Sequence, residues 1–393
     1  MPNSSERYQL PEQLKMAAGA VRDYVRSEIV PLEQEIPHDS IHLPQAEYDR
    51  LVPVARDMGM WCTGVPTEFG GGGLSLFAQA VIDEEMVQHA AGLYCPVYGT
   101  MGEPPPEIIF AGNDHLRDTY GLPTVNGQRK AWFAITEPSG GSDPARAIQT
   151  RAVRDGDDWV INGSKVFISG ALWGDWGIVF ARTNPETRRG VTAFVVENSW
   201  PGFDLTPIPV IRAYTPAQLF FDNLRVPARN VLGEVDGGWD ILANRLLARG
   251  RIPYSAANLG VSVAAHRMAV AYSKTRETFG APLSSRQAIQ WMLVDSEVEI
   301  RTCRWLIWEA AWKCDAGEDF RQEASIAKLH SAEVLGRVVD RSIQVHGGYG
   351  VTQEMPLERW YREARVRRIG EGAQEVNKML IAREILNPGG GRH

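Results

Sequence analysis

The feature that most constrains the fold is a change of hydrophobic period partway along the chain. Through residues 127–236 short β-rich runs alternate with turn clusters. Trp132-Phe133-Ala134-Ile135 is the first run. Trp159-Val160-Ile161 follows, entered by the turn Asp155-Gly156-Asp157-Asp158 and left by Asn162-Gly163. Ile178-Val179-Phe180, Thr192-Ala193-Phe194-Val195-Val196 and Leu219-Phe220-Phe221 continue the series. Strands this short and this regularly spaced predict a small antiparallel β-barrel or sandwich.

On either side of that block the period is helical. Met16, Val21, Val25 and Ile29 recur at helical spacing, and Pro31 is expected to close the run. Gly70 to Gly73 form a loop before a helix starting near Ser75. That loop lacks the Lys-Ser/Thr ending of a phosphate-binding P-loop. Pro104-Pro105-Pro106 forces a break. Downstream of residue 237, Ile289, Met292, Leu293, Val298 and Ile300 belong to one long helix. Trp305, Trp308 and Trp312 fall on one helix face and are read as core, or else as subunit interface. The fold class is therefore multidomain α+β. The units are 1–126 (helical), 127–236 (β) and 237–393 (helical). A β-domain between helical layers suits a cleft for a flat cofactor.

Charge narrows the function. A formal net charge of −7 over 393 residues argues against nucleic-acid or membrane-surface binding, which needs a basic face. Cys62, Cys95, Cys303 and Cys314 show neither Cys-x-x-Cys nor zinc spacing, so reduced thiols and no metal are expected. The first ten residues are polar, and no run is long enough to span a membrane. No signal peptide and a cytoplasmic location are the expectation.

Several motifs carry chemistry. In Ala134-Ile135-Thr136-Glu137-Pro138-Ser139-Gly140-Gly141-Ser142-Asp143 a strand ends and a turn-rich loop exposes N–H groups and hydroxyls. Such a loop can serve a ring edge or a pyrophosphate, or be a plain turn. Alternation in Lys165-Val166-Phe167-Ile168-Ser169 puts Phe167 and Ser169 on one face, suited to a stacked heteroaromatic ring. An ordinary hairpin strand reads equally well. Arg276-Glu277-Thr278-Phe279-Gly280, with Gln287 downstream, offers a phosphate partner or a surface arginine. Gln344-Val345-His346-Gly347-Gly348-Tyr349-Gly350 implies close backbone approach, with His346 a packed or capping residue. Finally, Gly370-Glu371-Gly372 presents a carboxylate between two residues without side chains. It is a base that substrate can approach, or a solvated turn.

Together and in this order, these motifs resemble the acyl-CoA dehydrogenase family of flavoproteins over nearly the whole chain. The resemblance implies a helical domain, a middle β-domain and a C-terminal four-helix bundle. It also implies FAD, a homo-oligomer (dimer or tetramer), an acyl-CoA substrate oxidised to the 2,3-enoyl-CoA, and electron-transfer flavoprotein as acceptor. By the same resemblance Ile135, Thr136, Gly141 and Ser142 contact the flavin and its phosphates. Phe167 lies against the isoalloxazine and Ser169 bonds near its N5. Arg276, Phe279, Gln287, Gln344, Gly347 and Gly348 reach the FAD of a neighbouring subunit. Arg251 stands near the CoA site, Gly370 and Gly372 flank the substrate, and Glu371 is the catalytic base.

Departures from the family pattern shape the substrate expectation. Some branched-chain relatives place the base just before the residue matching Arg251, and that position here is Gly250. Many members carry a Tyr before the base, where this chain has Gly370. The missing aromatic is expected to open the pocket wall for a branched, cyclic or bulky acyl group. Ala373 replaces a common Thr, and Pro104 to Pro106 replace helix near the acyl pocket. A flavin oxidase or monooxygenase on the same fold, and a non-catalytic scaffold, are the rival readings.

Overall fold

The structure is a computed structural model, and the residues it describes are 8–93 and 96–387. Cys95 lies outside those residues.

The N-terminal helices are α1 (Glu12–Tyr24), α2 (Gln45–Asp57) and α3 (Leu76–Met86). Val21, Val25 and Ile29 are buried at 1% exposure or less, whereas Met16 is 68% exposed and outside the core. Pro31 does not close the run. The chain passes through a wide π-type turn, Val25–Ile29, into one more helical turn, Val30–Leu32. A proline is tolerated there because the first turn of a segment needs no N–H donor. The Ser75 hydroxyl caps α3 by accepting from the Ala78 N–H at 3.3 Å.

The β-block forms one eight-stranded sheet: β1 (Ala131–Ala134), β2 (Arg151–Asp155), β3 (Asp158–Ile168), β4 (Trp176–Arg182), β5 (Val191–Glu197), β6 (Phe203–Pro207), β7 (Ala217–Pro227) and β8 (Val231–Leu232). The order is β6-β7-β3-β2-β4-β5-β8, with β1 paired to β4. Most pairings are antiparallel, but β1 and β2 each run parallel to β4. Asn162-Gly163 is not a turn. It is an irregularity inside β3, where Gly163 takes φ 146° beside Thr150. Strands β4 and β5 are buried on both faces: Val179, Phe194 and Val196 enter one core, while Trp176, Ile178, Phe180 and Val195 enter another with Ile109, Leu116 and Leu242. That explains their unbroken apolar sequence.

The C-terminal helices are α4 (Ala248–Thr275), α5 (Gln287–Asp315), α6 (Arg321–His346), α7 (Leu357–Arg367) and α8 (Gln374–Leu386). A short hairpin, β9 (Glu277–Thr278) with β10 (Ala281–Pro282), joins α4 to α5. Gly260 lets α4 cross α3 closely, since a Cβ there would stand 2.4 Å from the Glu84 carbonyl oxygen. The buried Arg304 forks onto the Glu84 carboxylate at 2.7 and 2.9 Å, tying α5 to the same crossing. The tryptophan stripe divides. Trp308 is buried at 4% exposure, but Trp305 and Trp312 are each 57% exposed. An interval of seven residues drifts slowly around a helix, so one face holds Trp291, Val298, Trp305 and Trp312, all outward. Among the described residues no helix is long and apolar enough to cross a membrane.

Candidate active site

The Gly370-Glu371-Gly372 turn sits where α7 ends and α8 begins, against α4 and α6. The chain turns by putting two consecutive residues in the left-handed region, Glu371 at φ 54° and Gly372 at φ 87°. Glycine takes that conformation freely, but a glutamate there stores backbone strain. The turn is held on several sides. Lys328 of α6 donates to the Gly372 carbonyl, and Asn377 of α8 donates to the same oxygen at 2.8 Å. Arg251 of α4 approaches the Glu371 carbonyl at 3.5 Å and donates to the Ser325 hydroxyl at 3.1 Å.

The Glu371 side chain lies over α4. A Cβ added at Gly250 would stand 3.5 Å from Glu371 Oε2. The Gly250 backbone and the Glu371 carboxylate therefore meet at one point in space. Burial raises the Glu371 pKa, while the charges of Arg251, Lys328 and Arg367 pull it back down. The Glu371 N–H donates to no acceptor among the described residues.

The wall beside this turn differs from the sequence expectation. Gly370 does not leave an open gap, because a Cβ there would lie 2.9 Å from the Tyr254 hydroxyl. The aromatic ring absent from the turn is supplied by α4. Tyr254 donates to the Arg367 carbonyl at 3.3 Å, and the Arg367 guanidinium sits 3.9 Å from the centre of its ring. Arg367 also donates to the Leu93 carbonyl. Lys328 and Tyr254 went unnoticed in the sequence because nothing local distinguishes them. Only the three-residue step from Arg251 to Tyr254, one helical turn, hints that they share a face.

The loop of 135–142 and the end of β3 are joined in space. Val166 N–H donates to the Thr136 carbonyl at 2.9 Å. The wholly buried Lys165 donates to the Ile135 carbonyl at 3.1 Å and to the Glu137 carboxylate at 2.7 Å. Glu137 also accepts from the Gln149 N–H at 2.7 Å and the Thr150 N–H at 3.0 Å. Burial lowers the Lys165 pKa to about 8 against the opposing pull of Glu137. Strict alternation would place Phe167 with Lys165. A register shift between Lys165 and Ile168, with Phe167 at φ 61°, instead turns Phe167 outward to 59% exposure while Lys165 stays inside. Ser169 is also exposed, and its hydroxyl accepts from Arg212 at 2.8 Å. Arg212 is a further residue that sequence reasoning missed.

The remaining expected residues stand apart from this surface. Phe279, at the tip of the β9–β10 hairpin, is 99% exposed with φ 50°. Arg276, Gln287, Gln344, Gly347 and Gly348 are exposed as well, and nothing lies within 4 Å of a Cβ built at Gly347 or Gly348. Among the described residues none of them hydrogen-bonds to the 135–142 loop, Phe167 or Ser169. His346 is packed, with Nδ1 2.7 Å from the Ser342 carbonyl oxygen and its ring 4.5 Å from Tyr272.

The fold and these motifs define a flavin-dependent dehydrogenase architecture, and comparison with known proteins agrees. Family profiles for the acyl-CoA dehydrogenase N-terminal, middle and C-terminal domains match residues 11–128, 132–224 and 236–386. The chain is 34% identical to (R)-benzylsuccinyl-CoA dehydrogenase of Thauera aromatica, over 97% of each chain. Butyryl-CoA dehydrogenase of Megasphaera elsdenii superposes with a TM-score of 0.85 at 30% identity, over 96% of this chain and 99% of that one. A chain in a structure of the electron transferring flavoprotein of Acidaminococcus fermentans gives 0.87 at 29%, over 97% and 99%. The chain belongs to the acyl-CoA dehydrogenase family, whose members are FAD-dependent oxidoreductases acting on CH–CH bonds of acyl-CoA.

The residues present suit FAD. An outward aromatic and hydroxyl at Phe167 and Ser169 adjoin a loop rich in N–H donors. Gly141 is needed there, because a Cβ would stand 2.9 Å from Thr136 Cγ2.

Proposed function

We propose that the protein dehydrogenates an acyl-CoA thioester to its 2,3-enoyl-CoA with Glu371 as the α-proton base. The observation that carries this reading is the Glu371 carboxylate, raised in pKa by burial and set over the bare backbone of Gly250. The α-C–H of a thioester is a weak acid. It yields to a desolvated carboxylate when the thioester carbonyl is polarised in the same step. The Glu371 N–H, without an acceptor among the described residues, would donate to that carbonyl. Ile135, Thr136, Gly141, Ser142, Phe167 and Ser169 would hold FAD on this chain. Arg276, Phe279, Gln287, Gln344, Gly347 and Gly348 would reach the FAD of a second copy. When bound, FAD accepts the hydride from the β-carbon.

For the acyl group we infer a branched, cyclic or bulky type. The 34% identity to a dehydrogenase of benzylsuccinyl-CoA supports this. So does Gly370, although Tyr254 relocates the aromatic wall to α4 rather than removing it. Electron-transfer flavoprotein as acceptor is supported by the structural likeness noted above. A homo-oligomer is supported by the outward stripe of Trp291, Val294, Val298, Trp305 and Trp312, each at least 57% exposed.

Anaerobic bleaching of the flavin tests the reading. The panel is butyryl-, isobutyryl-, cyclohexanecarbonyl- and benzylsuccinyl-CoA. The wild type is expected to bleach, fastest with a branched or cyclic member. Glu371→Gln is expected to retain FAD and lose bleaching. Normal bleaching by that variant overturns Glu371, and a preference for butyryl-CoA overturns the substrate class.

A further inference from the structure

Lys328 is a buried ammonium whose placement the reaction outlined above does not use. It lies on α6, wholly shielded from solvent, and donates to the Gly372 carbonyl. Among the described residues it forms no ion pair. A charge in that position is costly to bury, and an apolar side chain among Ala324, Ala327 and Leu335 would avoid the penalty. A buried charge without a carboxylate in contact, next to a strained turn, points to function.

The geometry shows what it does. The acceptor is the residue immediately after Glu371, inside the two-residue left-handed segment. Without restraint a non-glycine residue leaves that conformation. Lys328 and Asn377 converge on one carbonyl oxygen from opposite helices, so the turn cannot relax without breaking both bonds. We propose that Lys328 is a positioning residue for Glu371, fixing the turn that carries the carboxylate and supplying the charge that keeps it ionised. The proposal rests on Glu371 being the base.

The charges around the pair are few. Arg251 of α4 and Arg367 of α7 face both Glu371 and Lys328, and Glu375 of α8 adds a weaker field at Lys328. Burial lowers the Lys328 pKa to about 8, with Glu371 pulling it back up and Arg251 and Arg367 pushing it down. Lys328 is thus the member of the cationic set with a titration near neutrality, and its charge opposes the burial-driven rise of the Glu371 pKa.

The test is the pH profile of anaerobic flavin reduction, with the panel member that reduces wild type fastest, in FAD-loaded enzyme. Lys328→Met is expected to lower the limiting rate at least about tenfold. It should also move the acid limb about one pH unit upward, because Glu371 loses a stabilising charge. Lys328→Gln, which keeps a donor, should recover rate but not the limb position. Lys328→Arg, which keeps charge, should hold the limb near its wild-type place. A merely structural lysine would lower the folded, flavin-loaded fraction and leave the limb unmoved. If Lys328→Met does not fold, the Gln and Arg variants decide alone. Wild-type rate and wild-type limb in the variants that load FAD overturn the proposal. Failure of the Glu371 reading appears separately, as an acid limb that persists in Glu371→Gln.

Discussion

The hydroxyl of Tyr254 stands 2.9 Å from the place where a side chain would begin at Gly370. A residue on α4 and a residue in the α7–α8 turn, 116 positions apart, share one volume beside the candidate base. The glycine is therefore less a gap than a vacancy made for a ring from another helix.

That sharing predicts strong coupling. Gly370→Tyr alone overpacks the site and should cost about 1–3 kcal/mol of stability, read as a lower Tm. Tyr254→Val alone should change the rank order of the acyl-CoA panel by removing the wall. Combined, the two should be less harmful than their sum by about 1 kcal/mol or more in a double-mutant cycle. Simple additivity would show that the two positions do not compete for space.

The 3.5 Å between Glu371 Oε2 and a Cβ at Gly250 predicts that the base can be moved. Glu371→Gly should lose about 10²–10⁴-fold in flavin reduction, the usual contribution of a general base. Adding Gly250→Glu should recover at least about tenfold of that loss by carrying a carboxylate to the same place. No recovery, in a variant that still binds FAD, would mean that the α4 backbone does not face the substrate.

Burial raises the Glu371 pKa above its ordinary 4.5, with Arg251, Lys328 and Arg367 opposing. A base works when deprotonated, so the rate should fall as pH drops through the raised value, giving an acid limb above the ordinary glutamate range. The linked stability has the opposite direction. A carboxylate whose folded pKa is raised contributes stability that is present below the unfolded value and lost as pH rises through the folded one. Glu371→Gln should therefore raise Tm at neutral pH relative to wild type, and the difference should shrink on acidification. A Tm difference that grows in acid would reverse the assignment of cause.

Trp305 and Trp308 sit three residues apart yet have different fates, one 57% exposed and the other buried at 4%. Trp305→Glu, alone or with Val298→Glu, should shift sedimentation toward smaller species while leaving Tm of the monomer nearly unchanged. Trp308→Ala should instead cost about 3–5 kcal/mol of stability through the cavity it leaves. An unchanged sedimentation profile in the double Glu variant would remove the stripe from the oligomer interface.

Lys165→Met should be severe for a different reason. It leaves Glu137 buried without its cation, a loss of about 3–5 kcal/mol for a broken buried pair. It also frees the Ile135 carbonyl, so flavin retention during gel filtration should fall. Adding Glu137→Gln should recover part of the stability.

The α, β, α order was legible in the chain because helical and strand periods are local properties, written in residues that are sequence neighbours. The Glu371 turn was legible for the same reason, since glycines on both sides announce a backbone that bends and opens. Strand β3 was legible only as two shorter runs split at Asn162-Gly163, because that pair codes equally for a turn and for a bulge inside one strand. Strict alternation likewise could not say that Lys165 turns inward and Phe167 outward, since the shift between them depends on register with β7.

What surrounds the carboxylate was decided only by tertiary packing. Gly250 and Tyr254 on α4, Lys328 on α6 and Arg367 on α7 reach one turn from separate helices, and no local signal records which helix faces will meet. The stripe on α5 shows the same division: its spacing was visible in sequence, but which of its tryptophans is covered depends on where α1 and α3 lie. Sequence by itself determined the elements and the chemical identity of the candidate base. The charge, the wall and the strain around that base came from helix packing, because electrostatics and volume depend on distance in space and not on separation along the chain.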